Sequence, residues 1–283
     1  MADASPTVRQ RELGLRLRKL RNGLGLTVED VAEKLMCSTA KISRMETGAR
    51  RPALRDVRDL CALYNVDESV AAELMTLTRE AREQGWWTQY EDLNLSPYIG
   101  LEQDASSITA YSMYYMHALV QTEDYARAVI EAIAPKMDPV IQQQRVEARL
   151  RRQELLEQGN PPGYRLLLDE AALHRPVGSR ALMAAQIGKI LELSAAGKVR
   201  AQIVPFSVGA YSVADISFTL LEFSEPVLPP VVFVEGLVGS QYYERSVDVA
   251  RYRESIEYIR ESALSPRDSE QRLLEIQETY TGR

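Results

Sequence analysis

Residues 26–52 read LTVEDVAEKLMCSTAKISRMETGARRP, and this stretch decides the fold of the N-terminal part. It spells two short helices, a tight turn between them and a basic loop after them. Thr27 offers an N-cap to the first helix, with Asp30 as its capping-box partner. Val31 and Leu35 share one helical face, with small Ala32 beside them. Met36-Cys37 makes the turn, and Ser38 caps a second helix that runs to about Thr47. In that helix Ile42 and Met45 point inward, leaving Thr39, Lys41, Ser43 and Arg44 to face out. Gly48 suits the left-handed residue that closes a helix, and Arg50, Arg51 and Pro52 follow.

An inward apolar pair with an outward face of hydroxyls and cations is what a major-groove reader requires. Arg and Lys donate to guanine O6 and N7, and Ser and Thr hydroxyls reach base edges. The candidate base-reading residues are therefore Ser38, Thr39, Lys41, Ser43 and Arg44. Helix N-termini and arginines beyond a helix hold phosphates, which makes Thr27, Arg50 and Arg51 the candidate backbone contacts. On these residues the stretch resembles the helix-turn-helix of the xenobiotic-response-element family, related to the phage lambda repressor. The family pattern E-x-G-x-x-x-P is met by Glu46, Gly48 and Pro52. Two positions depart from it: Val28 stands where Gln is usual, and Met36 where the turn usually has Gly. A non-glycine residue in a left-handed turn costs about 1–2 kcal/mol. Without the resemblance, the same pattern also suits a helical packing module with no DNA role.

One recognition helix reads only a few base pairs. Two copies about a two-fold axis would read half-sites roughly one helical turn apart. The expectation is a homodimer on an inverted repeat of double-stranded DNA. The net charge of −6 argues at first against nucleic acid, but its distribution does not. Residues 1–60 carry 13 Lys/Arg against 8 Asp/Glu, and the rest 21 against 32. A basic reader joined to an acidic body has this asymmetry.

The 283 residues allow about two domains. No run of about 18 apolar residues exists, and MADASPTVRQ lacks the apolar core of a secretory signal, so a cytoplasmic protein is expected. Cys37 and Cys61 read as reduced thiols on apolar helix faces. His117 and His174 are isolated, so no metal site is expected, and nothing calls for a cofactor.

Residues 1–8 read as a flexible arm and 9–83 as a five-helix DNA-binding domain. Its first helix has Leu13, Leu17 and Leu20 inward, with Arg16, Arg18, Lys19 and Arg21 toward solvent or phosphate. Residues 84–103 lose the periodicity and read as a connector whose Trp86 and Trp87 dock on the second domain. Residues 104–283 read as an α+β domain with about four strands: Tyr164–Leu168, Val199–Pro205, Ile216–Phe223 and Val231–Glu235. Ile108, Tyr111 and Tyr115 mark a helix, Thr122 caps another with Tyr125, Val129 and Ile133 inward, and 139–158 form a long third. Arg145, Arg149, Arg151 and Arg152 on it suit either a solvated face or a phosphate site, the solvated face being the stronger reading.

Further motifs in this domain are VQTEDYARAV at 120–129, R-x-x-R-Q at 149–153, LDEAALHRPVG at 168–178, IVPFSVGAY at 203–211 and VVFVE at 231–235. Together they are similar to a domain of unknown function that follows the reader in actinobacterial regulators of the WhiJ type. The commoner Pro-Gly before Leu-Leu-Gln-Thr is here His117-Ala118. The resemblance implies a developmental or specialised-metabolism regulator, often encoded beside a small acidic partner protein. An antitoxin-like, autoregulatory member of a two-protein pair is a related reading. An enzyme is not expected, because no nucleophile elbow, phosphate-binding loop or dinucleotide glycine fingerprint is present. Trp86, Trp87, Tyr111, Tyr115, Phe206 and Tyr211 either line a cleft for a partner or effector, or fill the core and the domain junction.

Overall fold

In the computed structural model the described residues are 8–83, 85–93, 96–211, 215–224, 228–236 and 239–282, with backbone alone at 91–93, 96 and 97. They fall into two compact units. One takes the described residues up to Asp104 with Ser224 and Leu228; the other takes Ala105–Phe223 and Pro229 onward. Among the described residues no helix is long and apolar enough to cross a membrane.

The first unit opens with five helices: α1 (Val8–Gly23), α2 (Val28–Lys34), α3 (Thr39–Glu46), α4 (Leu54–Leu63) and α5 (Glu68–Glu80). Most of the expected arm lies outside the described residues; its last residue, Val8, already belongs to α1 and is buried. The leucine spacing works as read. Leu13 and Leu17 of α1 meet Val31, Ala32, Ile42, Met45, Val57, Leu60, Tyr64, Leu74 and Leu77 in one core. Cys61 is buried in it as a free thiol, and Cys37 packs against its edge.

Most of the described residues between 85 and 103 lie in helical turns. A 3-10 stretch, Trp86–Leu93, precedes α6 (Ser96–Gln103). Trp86 meets Trp87 and Tyr90 edge-on, with ring centroids 5.9 and 6.1 Å apart. A Cβ on Gly100 would sit 3.0 Å from the Trp87 ring, so the glycine gives that indole its place against α6.

The second unit holds one six-stranded mixed sheet. Its strands are β1 (Ser107–Ser112), β2 (Gly163–Asp169), β3 (Arg200–Val204), β4 (Phe218–Glu222), β5 (Val231–Gly236) and β6 (Gly239–Tyr243), in the order β3-β2-β1-β4-β5-β6. β1, β2 and β3 are parallel, and β4, β5 and β6 continue antiparallel from β1. Two strands were not expected. β1 covers Ile108 and Tyr111, which the spacing assigned to a helix. It is one of the two central strands and is buried on both faces, so it shows no alternation that would separate strand from helix. β6 is a polar edge strand, GSQYY, paired only with β5.

The parallel half needs long crossovers. α7 (Glu123–Ile133) and α8 (Pro139–Gln153) join β1 to β2; α9 (Glu170–His174) and α10 (Arg180–Ala195) join β2 to β3. Thr122, Asp169 and Ser179 cap α7, α9 and α10 with their side chains. Ile133 is exposed rather than inward, because α7 ends there. The chain closes with α11 (Ser246–Ser262) and α12 (Pro266–Thr281).

Two motifs of this unit, VQTEDYARAV and R-x-x-R-Q, meet through polar anchors. Arg149 donates to Gln121 Oε1 (2.9 Å), and Gln153 Nε2 donates to the Ala118 and Gln121 carbonyls (2.9 and 2.7 Å). Gln186, fully buried, accepts from the Thr122 amide and donates to the Val120 carbonyl, both at 2.8 Å. The glutamines thus satisfy a buried turn that α7, α8 and α10 surround. Arg152 is buried too, so the arginine row on α8 is not a uniformly solvated face.

Candidate nucleic-acid interface

α2 and α3 are capped as the sequence requires. The Asp30 amide donates to Thr27 Oγ1 (3.1 Å) and the Thr27 amide to Asp30 Oδ2 (2.7 Å), a complete capping box. The Thr27 bonds hold the Asp30 carboxyl below the usual aspartate range. Ser38 Oγ accepts from the Lys41 amide at 3.2 Å and starts α3. Gly48 takes φ +69° and ends it. In the turn, Met36 takes φ +48° and is 94% exposed, so its strained backbone gains no packing in return.

The outer face of α3 is Ser38, Thr39, Ser43 and Arg44, all exposed. Arg44 folds its Nε onto the Ala40 carbonyl (3.1 Å) and makes no other side-chain hydrogen bond or ion pair among the described residues. Lys41 is placed differently. It is half-buried, and its Nζ lies 2.6 Å from Asp56 Oδ1, tying α3 to the first turn of α4. Arg50 and Arg51 are exposed in the loop after α3 and form no ion pair among the described residues.

What holds α3 in place is an arginine that the sequence reading put at the surface. Arg21 of α1 is buried and faces Glu46, the acid of the E-x-G-x-x-x-P pattern. Arg21 Nε and Nη2 donate to the two carboxylate oxygens at 2.6 and 2.9 Å, and Nη1 donates to the Leu26 carbonyl at 2.7 Å. Position 21 lies one turn past Leu17 on the apolar face, so the period allowed it inward; its residue type placed it with the three cations before it, and the acid opposite, 25 residues on, could not be seen by periodicity. Two more contacts were missed. Gln10 Nε2 donates to the Gly48 carbonyl (2.7 Å), and a Cβ on Gly14 would lie 2.6 Å from the Glu46 carbonyl oxygen. The signal available for the second was an isolated glycine inside a leucine-periodic helix.

In the second unit, two of the expected cleft residues converge. The Tyr111 and Tyr211 hydroxyls are 2.6 Å apart, and Tyr211 donates to Asp169. Burial raises both phenols, Tyr111 to about 12. Tyr111 is 1% exposed and packs on Phe218 of the sheet core, so this ring is filler rather than lining. Phe206 is exposed, beside His174 at 5.6 Å between ring centroids, and Tyr115 is half-buried. Trp86 and Trp87 belong to the other unit. Glu170 anchors this region: its carboxylate accepts from the Phe206 amide (2.7 Å) and from Arg272 Nε of α12 (2.9 Å), with His174 Nε2 at 3.4 Å. Burial pushes the Glu170 carboxyl up, and these partners together hold it below the usual glutamate range. Among the described residues no group of His, Cys, Asp and Glu could hold a metal ion.

A model described as a helix-turn-helix domain matches residues 12–74, and one described as a domain of unknown function, DUF5753, matches residues 95–275. The second match spans more than half of the chain. The protein belongs to the DUF5753 family. In this DUF5753 protein the DNA-binding helix-turn-helix lies in the first unit, and the family domain covers nearly all of the second. Neither a curated protein nor a solved structure matches the chain.

Proposed function

We propose that this protein is a sequence-specific transcriptional regulator that reads double-stranded DNA through α3. The carrying observation is the exposed row Ser38, Thr39, Ser43 and Arg44 on a helix whose opposite face is locked into the core by Ile42, Met45 and Glu46. Arg44 is the main base reader, because its guanidinium is exposed and makes no ion pair among the described residues. Lys41 serves mainly to fix the angle between α3 and α4, since a base contact would cost it Asp56. Thr27, Arg50 and Arg51 hold phosphates. The protein acts as a homodimer on an inverted repeat, as the short reach of one helix demands. The second unit modulates DNA binding by taking a small protein partner or effector at the exposed rim around Phe206, as regulators of the WhiJ type would.

The test is binding to every single-base variant of a selected operator. Arg44→Ala should cost about 1–3 kcal/mol and relax the preference at one base pair. An Arg44→Ala protein with parental affinity and parental preferences would remove α3 from the readout.

A further inference from the structure

α11 covers one face of the second unit's sheet, and that face is apolar only part of the way along the strands. Tyr111, Leu167, Phe218, Leu220 and Val232 pack there against Val249, Ile256 and Ile259. Two residues toward the amino ends of the parallel strands, the same face changes character. Thr109, Arg165 and Arg200 lie side by side, paired in register across β1, β2 and β3. A cleft of about 870 Å³ opens over them. Its walls are the Pro161–Gly163 turn before β2, the Gly197–Val199 turn after α10, and Pro266, Arg267 and Glu270 on the first turns of α12. A smaller hollow of about 370 Å³, lined by Arg253 and Glu257 of α11, shares Thr109, Arg165 and Glu222 with it.

The charges in this cleft do not cancel locally. In the lining Lys198 is engaged by Glu157 and Glu222 by Arg253; Arg260, outside it, is engaged by Glu257. Arg165 and Arg200 have no carboxylate partner among the described residues. The Nε atoms of Arg165 and Arg260 are buried without a hydrogen-bond acceptor. Burial, then the neighbouring Arg260 and Arg200, lower the affinity of Arg165 for its proton. Clustered like charges are costly, and an anion over Arg165 and Arg200 would offset that cost.

We propose that this cleft is a binding site for a small phosphate-bearing molecule, with Arg165 and Arg200 holding the phosphate oxygens. Guanidinium forks match phosphate geometry and give paired, charge-assisted bonds. The cleft volume is that of a metabolite site, within the usual range of about 300–1,000 Å³. Its rim is of mixed charge: Arg267 and Glu270 stand on the α12 wall and Glu254 beside the adjoining hollow, so the cationic lining is short and suits one or two phosphates rather than a long polyanion.

The experiment uses the full chain and inorganic pyrophosphate, titrated calorimetrically at constant ionic strength, with Arg165→Met, Arg200→Met and a reader control, Arg44→Ser/Arg50→Ser/Arg51→Ser. Arg200 is exposed, so its variant keeps the question open even if Arg165→Met fails to fold. The expected result is saturable binding by the parent and the reader control, weakened about tenfold or more in each cleft variant that folds. No saturable binding by the parent, equal binding by the folded cleft variants, or a loss confined to the reader control would each overturn the proposal. A cleft variant that weakened binding to duplex DNA while leaving pyrophosphate binding intact would also overturn it.

Discussion

The Arg21–Glu46 pair is a sharp test of how the reader helix is held. Both side chains are under a tenth exposed, at 9% and 5%, and three hydrogen bonds of 2.6–2.9 Å use most of the guanidinium. Truncating either partner leaves an uncompensated charge inside, which typically costs about 3–5 kcal/mol. A helical unit of roughly 70 residues is stable by about 4–10 kcal/mol, so Glu46→Ala should remove a third or more of its stability. Replacing both partners by apolar residues of similar size removes the two desolvation costs together. Arg21→Met/Glu46→Leu should therefore be more stable than either single variant. Because the chain has two units, one global transition is not a safe readout. Amide exchange in α1–α5 isolates the relevant unit. The effect should also survive high salt, since buried charges are poorly screened. A loss under about 1 kcal/mol in Glu46→Ala, or a double variant no better than the singles, would refute the assignment of this pair as the clamp.

Met36→Gly should stabilise the first unit by about 0.5–1 kcal/mol, because the left-handed turn is relieved and a fully solvated side chain is all that is lost; a destabilised variant in the same exchange assay contradicts this. Arg50→Ser or Arg51→Ser should weaken binding to all DNA sequences alike and reduce the salt slope by about one, measured by titration at several salt concentrations. A loss confined to one base pair would show a reading role instead. The Glu170 carboxyl lies lower in the folded protein than in the unfolded chain, so its contribution is present above the unfolded value of about 4.3 and is lost as pH falls through the folded one. Thermal unfolding of the second unit should lose stability over that acid range, and Glu170→Gln should flatten the loss; equal pH profiles for parent and variant would count against the anchor.

The legible parts of this fold are those whose determinants are local. Thr27, Ser38 and Thr122 are caps a few residues from the amides they satisfy, and all three were readable. The α3 face was readable because Ile42 and Met45 repeat with the helix. Pairings between distant residues were not. The Arg21–Glu46 and Lys41–Asp56 pairs each join residues of different helices, so the partner of neither cation showed in the local pattern. β1 was lost to the helical reading for a different reason: a strand buried on both sides has no polar face to betray its period. The Thr109–Arg165–Arg200 row becomes visible only once the strand order is known, because three segments far apart in the chain make it.

The position of β1 also governs how the chain reaches its native state. Ser107 pairs with Gly163 on one side and with Glu222 on the other, so both edges of this central strand wait for segments made much later. The five-helix unit closes through short-range contacts and reaches its structure early, whereas the sheet must first meet the entropy of two long loops. Until then the apolar stretch Ile108–Tyr111 has unpaired edges on both sides, which is the condition in which strands of different chains find one another. The expectation is that the five-helix unit is complete ahead of the sheet, with the hazard of misassembly falling on the DUF5753 domain.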